Sequence, residues 1–257
     1  MPYVGNRLNP FFCYYGGKWR AAPKYPAPDH DTIIEPFAGA AGYATRYADR
    51  KVILVERDPI IAGLWRYLTR VSPDEIMAIP AEVPGTVDDL PICEEARWLV
   101  GFWCNKGAAT PRKSPAKWMR SGLRPDSYWG PVIREKIASL VEAIRHWQII
   151  EGSYEDAPNM TATWFTDPPY EKAGRYYRFK LDDYGRLADW CKTRRGQVMV
   201  CENEGATWLP FKPFATIKST PGVHGKSYSA EVLWTNAADE PSLFDLMMSL
   251  EDEPTAA

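Results

Sequence analysis

The sequence predicts an α/β protein: a doubly wound, mostly parallel sheet with a mainly helical lobe inserted into it. Three observations predict it. A short apolar run, a glycine-rich turn, a periodic stretch and a second apolar run follow one another within residues 32–56. Between residues 65 and 147 this alternation is lost. Strand-like runs then resume at residue 148, and one of them ends in a stiff Asp-Pro-Pro turn.

Residues 32–37 (TIIEPF) read as a buried strand, because parallel strands covered on both faces are near-continuous apolar runs. Gly39-Ala40-Ala41-Gly42 make the turn, and residues 43–50 (YATRYADR) read as a helix. Lys51 to Glu56 (KVILVE) read as the second strand. Arg57-Asp58-Pro59 then leads into a helical stretch that ends near Arg70. Strand, helix and strand joined by short loops form a parallel βαβ unit. Its ligand crevice is expected at the carboxyl ends of the strands.

Residues 80–91 carry three prolines and a glycine and read as an irregular linker. Residues 94–104 read as a helix, and Asn105 to Tyr128 show almost no period. Gly130-Pro131 opens another helix, with proline tolerated at the first position. Its stripe is Ile133, Ile137, Leu140, Val141, Ile144 and Trp147. Gln148 to Glu151, Ala162 to Thr166, Gln197 to Cys201 and Glu231 to Trp234 read as strands, with residues 183–195 helical. Phe214 to Lys218 is a candidate partner of the last strand. The expected organisation is a core of residues 1–64 and 148–236, a lobe of residues 65–147, and a mobile acidic tail of residues 237–257.

Composition narrows the function. The 257 residues are 45% hydrophobic and 25% charged, as in a folded globular protein. The net charge of −2 argues against a uniformly basic nucleic-acid binder. That total hides an asymmetry. From Asp239 onward there are six acids and no base, so the rest of the chain has 31 bases against 27 acids. Five cysteines without a C-x-x-C spacing suggest a reducing compartment. Three scattered histidines give no zinc-ligand pattern, so no metal is expected. The first residues lack the apolar core of a signal peptide. No apolar run is long enough to span a membrane, so no membrane association is expected. A soluble, cytoplasmic protein is the expectation.

Four segments carry the chemistry. In Asp167-Pro168-Pro169-Tyr170, proline forces the chain out of the sheet, because it cannot donate to the ladder. Such a turn can grip a planar ring that bears an exocyclic amine. The Asp167 side chain and the Pro168 carbonyl would accept its two N–H bonds, and Tyr170 would stack on the ring. The alternative is a tight loop with a capping aspartate. In the loop Glu35 to Gly42, glycines let backbone N–H groups approach a ligand, although an ordinary strand-to-helix turn looks the same. Glu56 and Asp58 end the second strand, where an acid can accept from ribose hydroxyls; acids at strand ends are also common. The segment Phe12 to Trp19 contains Tyr14-Tyr15-Gly16-Gly17-Lys18, which taken alone could be a loop with a solvated lysine.

Together these segments resemble the DNA adenine-N6 methyltransferases, in particular the DNA adenine methylase (Dam-like) group. That family has an aromatic-x-Gly-Gly-Lys segment (Tyr14 to Lys18), a Pro-Phe-x-Gly loop (Pro36 to Gly39) and an acid ending the second strand (Glu56). An inserted target-recognition region and an Asp-Pro-Pro-Tyr tetrad follow. The order here is the same. The resemblance covers about residues 10–60 and 148–236, and the middle matches in position only. One departure is Ala41, where members often carry a second glycine.

The resemblance implies the methyltransferase fold, the cofactor S-adenosylmethionine and transfer of its methyl group to N6 of adenine in double-stranded DNA. By position, Tyr14, Lys18, Phe37, Gly39, Glu56 and Asp167 are the cofactor contacts, with Glu56 on the ribose. Tyr154, in the segment Ser153 to Glu155, faces the adenine ring. Asp167, Pro168 and Tyr170 are the catalytic set. The target base must leave the duplex to be reached, which requires a grip on phosphates. Lys106, Arg112, Lys113, Lys117, Arg120 and Arg124 come without an acid among them and with Trp118, Tyr128 and Trp129 interleaved or adjacent. A second basic stretch, Lys172, Arg175, Arg178 and Lys180 with Tyr176 and Tyr177, follows the tetrad. Each stretch could equally be a solvated loop. The setting implied is the cytoplasm of a bacterium or a phage-infected cell.

Other members of the wider class act on cytosine N4, protein glutamine or RNA, and a relative could keep the fold without activity. The aspartate of the tetrad and the Gly-Gly-Lys segment favour adenine in DNA. In the tail, Glu240-Pro241-Ser242-Leu243-Phe244 resembles the short peptides by which bacterial replication proteins dock on the sliding clamp, with Leu243 and Phe244 as anchors. Glu240 stands where those peptides usually have glutamine. The alternative is a short helix packed on the enzyme itself.

Overall fold

A computed structural model describes residues 8–122, 124–171, 177–218 and 228–237. Its centre is a seven-stranded sheet. The strands are β1 (Thr32–Glu35), β2 (Lys51–Glu56), β3 (Gln148–Glu151), β4 (Ala162–Thr166), β5 (Gly196–Asn203), β6 (Lys212–Lys218) and β7 (Tyr228–Thr235). Their order is β3-β2-β1-β4-β5-β7-β6. The first five are parallel; β7 runs antiparallel to both β5 and β6. This is the doubly wound α/β architecture, Rossmann-like in its order. The direction of winding reverses between β1 and β4, and a crevice opens at such a switch point beyond the strand carboxyl ends.

Both faces of the sheet are covered. Every residue of β1 and β4 is buried, as central parallel strands require. Alternation sends Ile33 to one face and Ile34 to the other. On the Ile33 face lie α1 (Pro59–Leu68), α3 (Glu94–Trp103) and α5 (Pro131–Ala138), whose apolar side chains join Leu54, Phe165 and Met199 in one core. On the Ile34 face, α6 (Tyr184–Lys192) packs Leu187, Ala188 and Cys191 against Trp164 and Val198. Two short helices complete the described set, α2 (Pro73–Ala78) and α4 (Lys117–Arg120). No described helix is long and apolar enough to cross a membrane.

Three expectations change. Residues 43–50 do not form a helix; only Ala44–Arg46 make a 3-10 turn. Ala41 takes φ +46°, a left-handed conformation, and the Glu35 carboxylate accepts the Ala44 N–H at 2.6 Å. Tyr43 meanwhile stacks flat on Phe165, with centroids 4.5 Å apart. These tertiary ties hold the segment against the helical spacing of its residues. The stretch from Pro131 to Trp147 is likewise two pieces. α5 stops at Ala138 and a 3-10 turn follows at Val141–Ile144. The break lets Arg145 reach the carbonyls of Arg70 and Val71 while the apolar stripe stays in the core.

The third change concerns the lobe. Its expected boundary at residues 64–65 falls inside α1. α3 and α5 belong to the core of the sheet itself. The chain between β2 and β3 is therefore a long crossover packed on one face. Its irregular part, from Asn105 to Tyr128, is fastened at the end of α3. Arg112 N–H donates to the Gly101 carbonyl, Ala116 N–H to that of Cys104 and Trp129 N–H to that of Trp103.

Candidate functional site

A cleft of about 910 Å³, open mouth included, lies beyond the carboxyl ends of β1 to β4. Tyr14, Lys18, Phe37, Gly39, Glu56, Tyr154 and Asp167 all line it. Residues proposed from five separate stretches of sequence thus meet in one place. The topology explains this: loops leaving β1, β2, β3 and β4 sit side by side at the switch point.

The loop after β1 is held from two sides. Gly39 N–H donates to Glu56 Oε2 at 2.9 Å, and its carbonyl accepts from Trp65 Nε1 at 2.8 Å. Glu56 Oε1 accepts the Asp58 N–H at 2.9 Å. Burial raises the Glu56 carboxyl above its ordinary range, against the pull of these backbone donors. Gly39 has φ +46°, and a Cβ there would come within 3.2 Å of the Tyr14 ring. Phe37 stacks on Tyr154 at 5.4 Å, and Tyr154 rests edge-on against Trp190. One wall of the cleft is therefore aromatic.

Gly42 has a packing role. A Cβ there would lie 2.5 Å from the Trp19 nitrogen and 2.9 Å from the Lys18 backbone. Backbone cannot yield as a flexible side chain can. Gly42→Ala is expected to destabilise the fold by about 1–3 kcal/mol and to push the Lys18 segment out of register. Urea unfolding measures this, and an unchanged midpoint would contradict so close an approach.

Lys18 is buried. Its Nζ lies 2.9 Å from Asp167 Oδ1 and 3.6 Å from Glu231 Oε1. Burial disfavours the ammonium, but the two carboxylates outweigh it and hold the group above its ordinary value. Asp167 is raised by burial, with Lys18 opposing the shift. The Lys18 Nζ also sits 4.7 Å from the centre of the Tyr170 ring. Pro168 and Tyr170 do not line the cleft; Tyr170 packs behind Lys18, against the core. The tetrad is braced beyond them. Tyr184 donates to the Pro169 carbonyl at 2.7 Å, and Glu202 accepts the Glu171 N–H.

Glu35 is a cleft residue that sequence reasoning had noted only as part of a loop. It is 2% exposed, and burial lifts its carboxyl to about 8. The folded protein binds this proton more tightly than the unfolded chain. Glu35 thus contributes stability that is present below about pH 4.5 and is lost as pH rises through about 8. Glu35→Gln keeps an oxygen for the Ala44 N–H. It is expected to be as stable as the wild type near pH 4.5 and more stable at pH 9 by a few kcal/mol. Urea midpoints at the two pH values test this, and a gap independent of pH would refute it.

Tyr177, from the second basic stretch, lines the cleft; sequence reasoning missed Phe179, which lines it too, and Tyr25 and Glu231 behind it. Tyr177 lies against the rings of Tyr14 and Tyr15 and donates to the Tyr15 carbonyl. A strand carboxylate within the apolar run EVLW was the one available signal for Glu231.

The basic residues separate into groups. Lys106, Arg112, Lys113, Lys117, Arg120 and Arg124 are all exposed. Lys113 pairs with Asp88 at 2.6 Å, and Lys106 sits 5.8 Å from the Tyr128 ring centre. Trp118, between Lys117 and Arg120, is 59% exposed. Arg178 instead lines the cleft, 3.7 Å from Asp58. Lys172 and Arg175 lie outside the described residues, as do Ser242, Leu243 and Phe244 of the tail. Compared with models of known protein families and with curated proteins, the chain matches none.

Proposed function

We propose that this protein is a site-specific DNA methyltransferase acting on N6 of an adenine flipped out of the duplex, with S-adenosylmethionine as methyl donor. The observation that carries the reading is the buried Lys18–Asp167 pair at 2.9 Å, at the edge of a cleft that gathers the seven residues proposed for the cofactor. A fit to that cofactor is supported by the chemistry of the lining. Glu56, Asp58 and Asp167, set among Lys18, Arg57, Arg178 and Lys180, suit a ligand that carries both a cationic sulfur with an ammonium group and a carboxylate. Glycine at position 39 lets the loop pack against the Tyr14 ring, so two cleft-lining segments stay in contact.

When bound, S-adenosylmethionine supplies a methyl group on a sulfonium, whose carbon–sulfur electron pair returns to sulfur on transfer. The protein's part is position and electrostatics. Glu56 and the Gly39 loop hold the ribose end, and the Phe37–Tyr154 wall holds the adenine ring. Lys18 engages Asp167 Oδ1 and leaves Oδ2 to accept an N–H of the target amine. That bond would draw the nitrogen toward a tetrahedral shape, with its lone pair toward the methyl carbon. The nitrogen sheds one proton to solvent. No covalent enzyme intermediate is required.

The exposed bases from Lys106 to Arg124, with Trp118 among them, serve on this reading as the phosphate-gripping, target-recognition surface. The test is methyl transfer to DNA digested and read by mass spectrometry, beside matched RNA duplexes. N6-methyladenine in DNA is the expected product. N4-methylcytosine, or methylated RNA alone, would replace the substrate assignment. Absence of both transfer and cofactor binding by calorimetry would overturn the reading.

A further inference from the structure

Behind the tetrad lies a buried chain of polar groups that spans the sheet. Glu231 sits in β7, paired with Asn203 of β5 on one side and Ala215 of β6 on the other. It is 7% exposed, on a strand flanked by two others. An apolar side chain would fill that position at no electrostatic cost, whereas a carboxylate there is costly unless paired. Its two oxygens have different partners. Oε2 accepts the Tyr25 hydroxyl at 2.7 Å. Oε1 lies 3.6 Å from the Lys18 ammonium, which is itself 2.9 Å from Asp167 Oδ1. Tyr25 is held in turn, stacked on Phe214 at 4.6 Å and edge-on to Phe165 at 4.9 Å. Glu231 is therefore aimed by a fixed hydroxyl.

The geometry points to Glu231 as a positioning residue for Asp167: resting on the methyl-transfer reading above, it shares the Lys18 ammonium, holds it in place against Asp167, and leaves one net negative charge on the three groups at the cleft edge. The argument is one of charge. Lys18 and Asp167 alone would form a neutral pair, and the ammonium would draw the full charge of the aspartate toward Oδ1. A second carboxylate on the same ammonium leaves one net negative charge at the cleft edge. Positive charge develops on the amine nitrogen as its bond to the methyl carbon forms, and a retained negative charge stabilises it there. Glu231 also restrains Lys18 in space. Without it the ammonium keeps Asp167 and the weakly placed Gly16 carbonyl at 3.4 Å. The other ionisable neighbours of this cluster include Tyr170, Cys201, Tyr25 and Tyr177, and the carboxyls of Glu35 and Glu202, all raised by burial.

Glu231→Gln tests this, because the amide oxygen still accepts from Tyr25 while the charge is lost. In full-length protein, kcat on DNA is expected to fall roughly tenfold or more, with affinity for S-adenosylhomocysteine by calorimetry within about threefold of wild type. Carbon-13 NMR of the Asp167 carboxyl supplies a readout independent of turnover. Its midpoint should move down in the variant, since a like charge has been removed. A kcat within about twofold of wild type, or an unmoved Asp167 midpoint, overturns the inference and leaves the methyltransferase reading standing. Wild type that neither binds the cofactor product nor methylates DNA overturns both. Should Glu231→Gln fail to fold, Tyr25→Phe frees Glu231 from its guide and is expected to lower kcat by roughly threefold; no change there sinks the inference equally.

Discussion

Replacing Asp167 by alanine is expected to abolish methyl transfer while the fold survives. The loss should be on the order of a hundredfold or more, as when a preorganised group at a developing charge is removed. Asp167 directly follows β4, and Lys18 binds its Oδ1; on the proposed reading Oδ2 is the acceptor for the amine. The fold is expected to tolerate the change because Glu231 still lies 3.6 Å from the Lys18 ammonium. Thermal unfolding and a single-turnover methylation assay separate the two effects. Transfer above a few per cent of wild type, roughly the residue of a hundredfold loss, would remove Asp167 from the catalytic role. A collapse in melting temperature would instead mean that the ion pair is a structural necessity.

The second large effect is expected on DNA. Changing Arg112, Lys113 and Lys117 together to alanine removes three exposed cations from the crossover between β2 and β3. Each phosphate contact contributes about 0.9 to the slope of log affinity against log salt, so the slope should become shallower by about two to three. Lys113 already shares its charge with Asp88 at 2.6 Å, which places the expected change toward the lower figure. Cofactor affinity should not move, because none of the three lines the cleft. Fluorescence anisotropy over a salt series is the measurement. An unaltered slope would mean that this surface does not meet phosphate.

Much of the fold was legible because its signals are local. β1, β2, β4 and β5 are short runs of buried apolar residues, and such runs in alternation with helices announce a parallel sheet. The stretch from Tyr43 to Arg50 misled because its spacing suits a helix, while the left-handed turn at Ala41 and the reach of Glu35 to Ala44 depend on the folded sheet. α2 carried a readable signal, the reciprocal Ser72 and Glu75 cap, just before a proline-rich segment that drew attention away from it. The cleft was legible because its residues sit at strand ends in motifs whose chemistry is local. Tyr25 and Glu231 were not. Their hydrogen bond joins residues 206 apart, and no pattern along the chain announces it.

That separation has a consequence for how the protein is made. The first segment of the chain supplies Lys18 and Tyr25, and one of the last strands supplies the carboxylate that both of them face. Closing so long a loop is slow, since its entropy is lost before the contact rewards it. During synthesis, Lys18 and Asp167 can meet before β7 has emerged, but the cleft edge then lacks its final charge. Ligand affinity and turnover should therefore be acquired at different moments. On the proposed reading, a ribosome-stalled chain that ends before residue 228 is expected to show no methyl transfer even where Lys18 and Asp167 have already met.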